Sequence, residues 1–390
     1  MNTVLLQGST EVRQRLDSVD ALRGLAIFLV LMNHVNMRLF LEKFAYWQAI
    51  PEQLRSTLVW NGQNGVQIFF AISGFLITST TLSRWGTLSA IEVRDFYLLR
   101  FARIGPLLLV LLGILSILHL VGSPGFIVRD GTGGLGRALF AALTFHINLL
   151  EAQRGYLPGS WDILWSLSVE ETFYLCFPLI CRWFGTGKLL TLILGALIAL
   201  GPMARTFLTH GNEIWKEVSY LGGMDAIALG CVTALFISNR RVPPRTLPYL
   251  SAVGIIAMIS ILGFSTDGDA LQRSGFDMSV LALGTCLVIV GTARTDRKST
   301  VTLRPLRWLG RRSYEVYLTH MFVVMAFFHV FVSFGKPRAA VSLLFVAVVA
   351  VSGFLGEIAA RYFSDPMNRM LRYHWRRGGR KLGEFEANEF

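Results

Sequence analysis

Asp17-Ser18-Val19-Asp20-Ala21-Leu22-Arg23-Gly24-Leu25-Ala26-Ile27-Phe28-Leu29-Val30-Leu31-Met32-Asn33-His34 is the stretch on which the reading of this chain turns. With the apolar residues around it, it forms a run over 20–41 that reaches the ~20 residues a helix needs to cross ~30 Å of hydrocarbon. Two of its residues are out of place there. Arg23 and His34 lie eleven positions apart, which on a helix puts them within about 20° of one face and roughly 16 Å apart in depth. Arg23 is expected at the inner surface and His34 near mid-membrane. The arginine is open to a plain reading, a positive-inside anchor paired with Asp20 at i−3. A histidine deep in a span is costly, and such a group usually faces a polar cavity or a partner.

Outward from this helix the apolar pattern repeats. Of 390 residues, 53% are hydrophobic and 16% charged, the balance of a membrane protein rather than of soluble domains. Runs of near-spanning length fall at 20–41, 64–83, 103–122, 165–184, 188–207, 221–238, 246–264, 276–293, 313–333 and 339–362. They predict an all-α, polytopic integral membrane helical bundle of about ten transmembrane helices. Asp17, Asp20 and Arg23 lead into the first run and no small-residue cleavage site follows it, so it is expected to stay as an anchor.

A shorter apolar stretch at 138–150 leaves the topology open, because one more crossing would move every later loop to the other side. Loop charge decides. With ten crossings and a cytoplasmic N-terminus, 25 of the 37 Lys and Arg residues fall in cytoplasmic segments and 10 outside, the bias of the positive-inside rule. Both termini are then cytoplasmic, and residues 123–164 form an outer or re-entrant segment closed by Leu157-Pro158-Gly159-Ser160. The expected division is a cytoplasmic segment 1–15, a membrane domain 16–366 and a basic then polar cytoplasmic tail 367–390. This distribution accounts for the net charge of +12 without a nucleic-acid partner. Cys176, Cys181, Cys231 and Cys286 show neither CxxC nor metal-type spacing and read as packing residues, and no metal-ligand constellation is found.

The Leu16-Asp17…Asp20-Ala-Leu-Arg23-Gly…His34 pattern resembles the signature of the acyltransferase family 3 membrane proteins. Further stretches match in order: Gly65-Val-Gln-Ile-Phe69-Phe70-Ala-Ile-Ser73-Gly74, Arg100-Phe-Ala-Arg103-Ile104-Gly-Pro106, Trp165-Ser166-Leu167-Ser-Val-Glu170-Glu-Thr-Phe173-Tyr174, and Leu309-Gly310-Arg-Arg-Ser313-Tyr314-Glu-Val-Tyr317-Leu318-Thr319-His320. The likeness runs from residue 16 to about 366 and implies transfer of an acyl group, commonly acetyl from acetyl-CoA, to a sugar-containing acceptor. It implies an acyl-CoA donor substrate and no permanently bound cofactor.

Such chemistry needs a base for the acceptor hydroxyl, and imidazole, with a pKa of about 6.5, suits it near neutral pH. His34 is the candidate, as base or transient acyl carrier. A carboxylate on the other ring nitrogen would fix the tautomer, and Glu170, near the outer start of its span, is expected to supply it. Glu171 reads as an interfacial residue. Arg100 and Arg103 in the loop before the third span share a face and can contact phosphate oxygens, or form an ordinary positive-inside cluster. The resemblance implies that they hold the donor's nucleotide end, with Arg23 meeting the pantetheine arm or a phosphate. Ser73, Trp165, Ser166, Tyr174, Asp225, Tyr317 and His320 complete the candidate substrate or polar-network residues. Ser73 reads more simply as a packing hydroxyl, Asp225 as a partner of Arg205 or of the acceptor, and His320 as a network member or second catalytic group.

The expectation is a multi-pass inner-membrane O-acyltransferase acting on an extracytoplasmic glycan or glycolipid, with membrane lipids around it. The rival reading is a secondary transporter or flippase, since buried charges also mark substrate pathways. An antibiotic hydroxyl or an amino sugar is the alternative acceptor.

Overall fold

The computed structural model describes residues 4–39, 47, 50–185, 187–208, 211–240, 242–265, 269–293 and 301–378, and no strand is found among them. Among the described residues ten helices carry the fold: α1 (Val4–Leu39), α2 (Gly62–Trp85), α3 (Val93–Leu120), α4 (Leu164–Phe184), α5 (Lys188–Thr206), α6 (Tyr220–Asn239), α7 (Leu247–Phe264), α8 (Asp277–Thr292), α9 (Ser313–Ser333) and α10 (Val341–Ala359). Among the described residues nine helices are long and apolar enough to cross a membrane, and α8, with 16 residues, is the shorter one. At 1.5 Å per residue α8 covers about 24 Å, close to the hydrocarbon thickness. Leu192, Ile256, Leu343 and Val346 lie largely exposed on the outside of the bundle, as expected where lipid rather than water is the neighbour. The protein is a polytopic helical membrane protein.

The stretch 138–150 does not form one helix. It is divided between helices Gly134–Leu143 and Ile147–Arg154, with Phe145 at φ 57° in the break. Ten residues rise only about 15 Å, half a bilayer. The third span also begins earlier than its apolar run, at Val93 instead of 103, so Arg94, Arg100 and Arg103 lie on α3 and not in a loop before it. Hydropathy reports only the apolar part of a helix. This one continues through its arginines because carboxylates on neighbouring helices receive two of them. At the other end, α10 passes through a π turn at Ala360–Ser364 into helix Asp365–Gly378. Arg312 at the start of α9 holds that junction, donating to Glu357 Oε2 and Asp365 Oδ2 at 2.9 Å each.

Close backbone packing sets the helix positions. The short helix Arg304–Arg311 presses on α1 where Gly24 faces the Leu306 carbonyl and Gly310 faces the Asp20 carbonyl; a Cβ at either glycine would collide with backbone. Small residues allow this approach where no hydrophobic force pulls helices together in lipid. Arg307 and Asp17 close the contact with an ion pair at 2.6 Å. Elsewhere a buried polar knot ties α5 to α6 and α8. Arg205 pairs with Asp225 at 2.8 Å and donates to Ser279 Oγ at 2.6 Å, and Gln67 from α2 donates to Asp225 at 3.1 Å. Arg205 also donates to the Gly275 carbonyl at 2.9 Å and to that of Gly222. With both ions multiply bonded, the pair escapes the penalty of an uncompensated buried charge.

Candidate active site

α1 and α9 meet at two levels. At one, Arg23 Nε donates to Ser313 Oγ at 3.1 Å; at the other, His34 Nδ1 and His320 Nε2 are 3.1 Å apart. The two imidazole rings are tilted at 47° with centroids 4.9 Å apart. His320 is fully buried and His34 is partly exposed, so His320 backs His34 from the protein side.

The hydrogen-bond pattern fixes the tautomers. His320 Nδ1 lies 2.7 Å from the Tyr317 carbonyl, which can only accept, so Nδ1 carries the proton and Nε2 of the neutral ring accepts. The proton between the rings therefore sits on His34 Nδ1. In the neutral ring His34 Nε2 then keeps its lone pair, and the Val30 carbonyl, one turn back on α1, is a further hydrogen-bond partner of the His34 ring. Behind the rings, the Tyr317 hydroxyl is 2.7 Å from Ser166 Oγ and donates to the Ile163 carbonyl at 2.9 Å. Phe69 meets the Tyr317 ring edge-on at 6.3 Å. This shell holds the histidine pair between α1, α2, α4 and α9.

The second level is built from arginines and glutamates. Arg100 on α3 pairs with Glu171 on α4 at 3.2 Å and lies 3.6 Å above the centre of the Tyr174 ring. Arg103, one turn further, pairs with Glu315 on α9 at 3.5 Å and sits over Tyr314 at 5.6 Å. Glu170 is beside Ser73 and within electrostatic reach of Arg100 and Arg23, and the Tyr174 hydroxyl is bonded to Ser73 Oγ. Three arginines thus face three carboxylates where α1, α3, α4 and α9 converge. Arg100 and Arg103 keep 23% and 25% of their side chains exposed, so each has N–H groups available beyond those in its ion pair.

This geometry corrects the expected pairings. Glu170 does not meet His34: it lies six residues into α4, about 9 Å along the axis from Leu164, and turns to the arginines. His320 takes the place expected for the carboxylate. Glu171 is buried and ion-paired, not interfacial. Ser73 is a network hydroxyl beside Glu170 and Tyr174. Trp165 packs edge-on to Phe70 with ring centroids 6.1 Å apart. Asp225 takes the first of the two partners expected for it, Arg205. Glu315 was missed by the sequence reading; its signal was a carboxylate two residues before Tyr317, inside an apolar helix, where a charge implies a partner.

The profile of an acyltransferase domain family matches residues 16–357, nearly the whole membrane bundle. The chain belongs to this acyltransferase family. It is 25% identical over 386 residues to peptidoglycan O-acetyltransferase OatA of Listeria monocytogenes, covering 92% of this chain and 56% of that protein. It is 24% identical over 372 residues to O-acetyltransferase OatA of Staphylococcus aureus, covering 91% of this chain and 57% of the relative. The chain thus spans a little over half the length of these curated relatives. No solved structure matches it. The histidine pair and the arginine–glutamate level both fall within the matched region.

Proposed function

We propose that this member of the acyltransferase family moves an acetyl group from acetyl-CoA to a hydroxyl of an extracytoplasmic glycan, with His34 as general base. The observation that carries this reading is the hydrogen bond between buried His320 and half-buried His34, in which the shared proton on Nδ1 leaves His34 Nε2 to act as the base. The acceptor hydroxyl gives its proton to Nε2 as its oxygen attacks the thioester carbon. The C–S bond then breaks, and the proton passes to the departing coenzyme A thiolate. The acetyl group and a glycan acceptor are suggested by the names of the relatives, one of which acts on peptidoglycan.

The donor's phosphates would lie at the exposed edges of Arg100 and Arg103, whose planar forks suit phosphate oxygens. The loop-charge bias puts that level toward the cytoplasm of an inner membrane, with both termini on the same side. Arg23 stands between the phosphates and the pantetheine arm, which must cover the roughly 16 Å of α1 that separates Arg23 from His34.

The test uses the purified protein in lipid nanodiscs with labelled acetyl-CoA and soluble peptidoglycan strands. Alkali-labile label on the glycan is expected from wild type, and a loss of roughly 10²–10⁴-fold from His34→Ala. Transfer at the wild-type rate by that variant would overturn the mechanism.

A further inference from the structure

Arg38 stands in the last turn of α1, four residues beyond His34 and at the opposite end of the span from Arg23. Side chains four apart on a helix are neighbours, with Cβ atoms about 5–6 Å apart. The Arg38 guanidinium is within electrostatic reach of the His34 ring and of the Asp162 carboxyl. It also lies over the turn that follows Leu157-Pro158. A Cβ placed on Gly159 would be 3.5 Å from Arg38 Nη2 and 3.0 Å from Cε of Met321, the residue after His320. The head of Arg38 is therefore turned in beside the histidine pair.

Two features set this arginine apart. It is exposed, and among the described residues it makes no hydrogen bond or ion pair. Arg100, Arg103 and Arg205 each answer to a carboxylate of the protein; Arg38 keeps its fork of donors uncommitted. Its direction argues against a lipid headgroup as partner, because a guanidinium that snorkels extends away from the bundle, whereas Nη2 sits against the Gly159 turn. One planar fork with one charge matches one carboxylate bidentately. The arrangement suited to phosphates, two arginines one turn apart, is at Arg100 and Arg103 instead.

We infer that Arg38 selects acceptors that carry a carboxylate, on the sugar acylated at His34 or on the adjoining one. The inference deepens the glycan-acceptor reading and rests on it. One sugar unit presents its hydroxyl to His34 Nε2 and its carboxylate to the guanidinium one turn further along α1. The contact is the same before and during transfer, so it acts on binding and on KM for the acceptor rather than on kcat.

Two probes isolate the charge: soluble peptidoglycan strands freed of stem peptides, whose lactyl groups end in carboxylates, and the same strands with those carboxylates converted to neutral amides. With the full chain in nanodiscs, calorimetry reads strand binding without donor, and labelled acetyl-CoA reads transfer. Wild type is expected to prefer the carboxylate strands about tenfold in Kd and in kcat/KM, less so at high salt. Arg38→Ala and Arg38→Gln should abolish that preference. Arg38→Lys, which keeps the charge and loses the fork, should retain part of it. Equal handling of the two strands by wild type, or a preference that survives in Arg38→Ala, would overturn the inference and leave the activity standing. An equal fall of kcat on both strands in Arg38→Ala, with the preference intact, would also overturn it and put Arg38 at the reacting atoms. A binding preference that depends on Arg38, without any transfer by wild type, would support the selection and overturn the activity. Absence of both binding and transfer in wild type would overturn both.

Discussion

His34 and His320 form one hydrogen-bonded unit across α1 and α9, 286 positions apart in sequence, and the Tyr317 carbonyl at the far end sets where its protons lie. Removing His320 frees the His34 ring and its tautomer. His320→Ala is expected to lower kcat for acetyl transfer by roughly 10²–10³-fold with donor KM within about twofold of wild type. His320→Gln places an amide oxygen where it can accept from His34 Nδ1 and should recover part of the loss. Steady-state kinetics with labelled acetyl-CoA decide it; a fully active His320→Ala would take His320 out of the mechanism.

Arg100 combines an ion pair with Glu171 and a stack on Tyr174. A lysine keeps the charge and loses both the plane and the fork. Arg100→Lys is therefore expected to raise KM for acetyl-CoA about tenfold while kcat at saturation falls much less. A donor titration at fixed glycan measures both. If charge alone mattered, the variant would match wild type.

The Arg205–Asp225 knot lies apart from the histidines and should affect folding rather than chemistry. Arg205→Ala strands a buried carboxylate and is expected to cost about 3–5 kcal/mol, read as a lower melting temperature and a smaller folded yield. Replacing both, as Arg205→Met with Asp225→Leu, should regain most of that stability. Activity per folded molecule should stay near wild type in either variant.

Glu151, on the short helix Ile147–Arg154 outside the spans, is fully buried and accepts from the Leu157 amide at 3.1 Å. Burial, with Asp162 beside it, raises its carboxyl above the usual 4.5. The folded chain holds this proton more tightly than the unfolded one. Its stabilising effect is thus complete below pH 4.5 and is lost progressively as pH rises toward the folded value. After correction for intrinsic rates, amide exchange over 147–162 should show weaker protection at about pH 8 than at about pH 5. Glu151→Gln should flatten that difference; an unchanged profile would mean that another group titrates.

Much of the site was legible one residue at a time. Arg23, His34, Tyr317 and His320 stand out because ionisable and hydroxyl groups are scarce in runs that must satisfy hydrocarbon. Arg100 and Arg103 stand out because three residues on a helix share a face. Their partners were not legible. Glu170 and Glu171 are adjacent and chemically alike, and only the rotation of α4 sends one toward Ser73 and ion-pairs the other with Arg100. Val93 as the true start of α3 was hidden because hydropathy falls where helix continues through arginines.

The sequence by itself determined the class of protein, the approximate run of spans and the residues too costly to be there without a purpose, because hydrocarbon penalises each polar group locally. Only the tertiary structure decided that His34 answers to a second histidine and that the arginines answer to three glutamates. Such pairings depend on which helices adjoin and how each is rotated, and that is settled by close contacts such as Gly24 against Leu306, made between segments far apart in the chain.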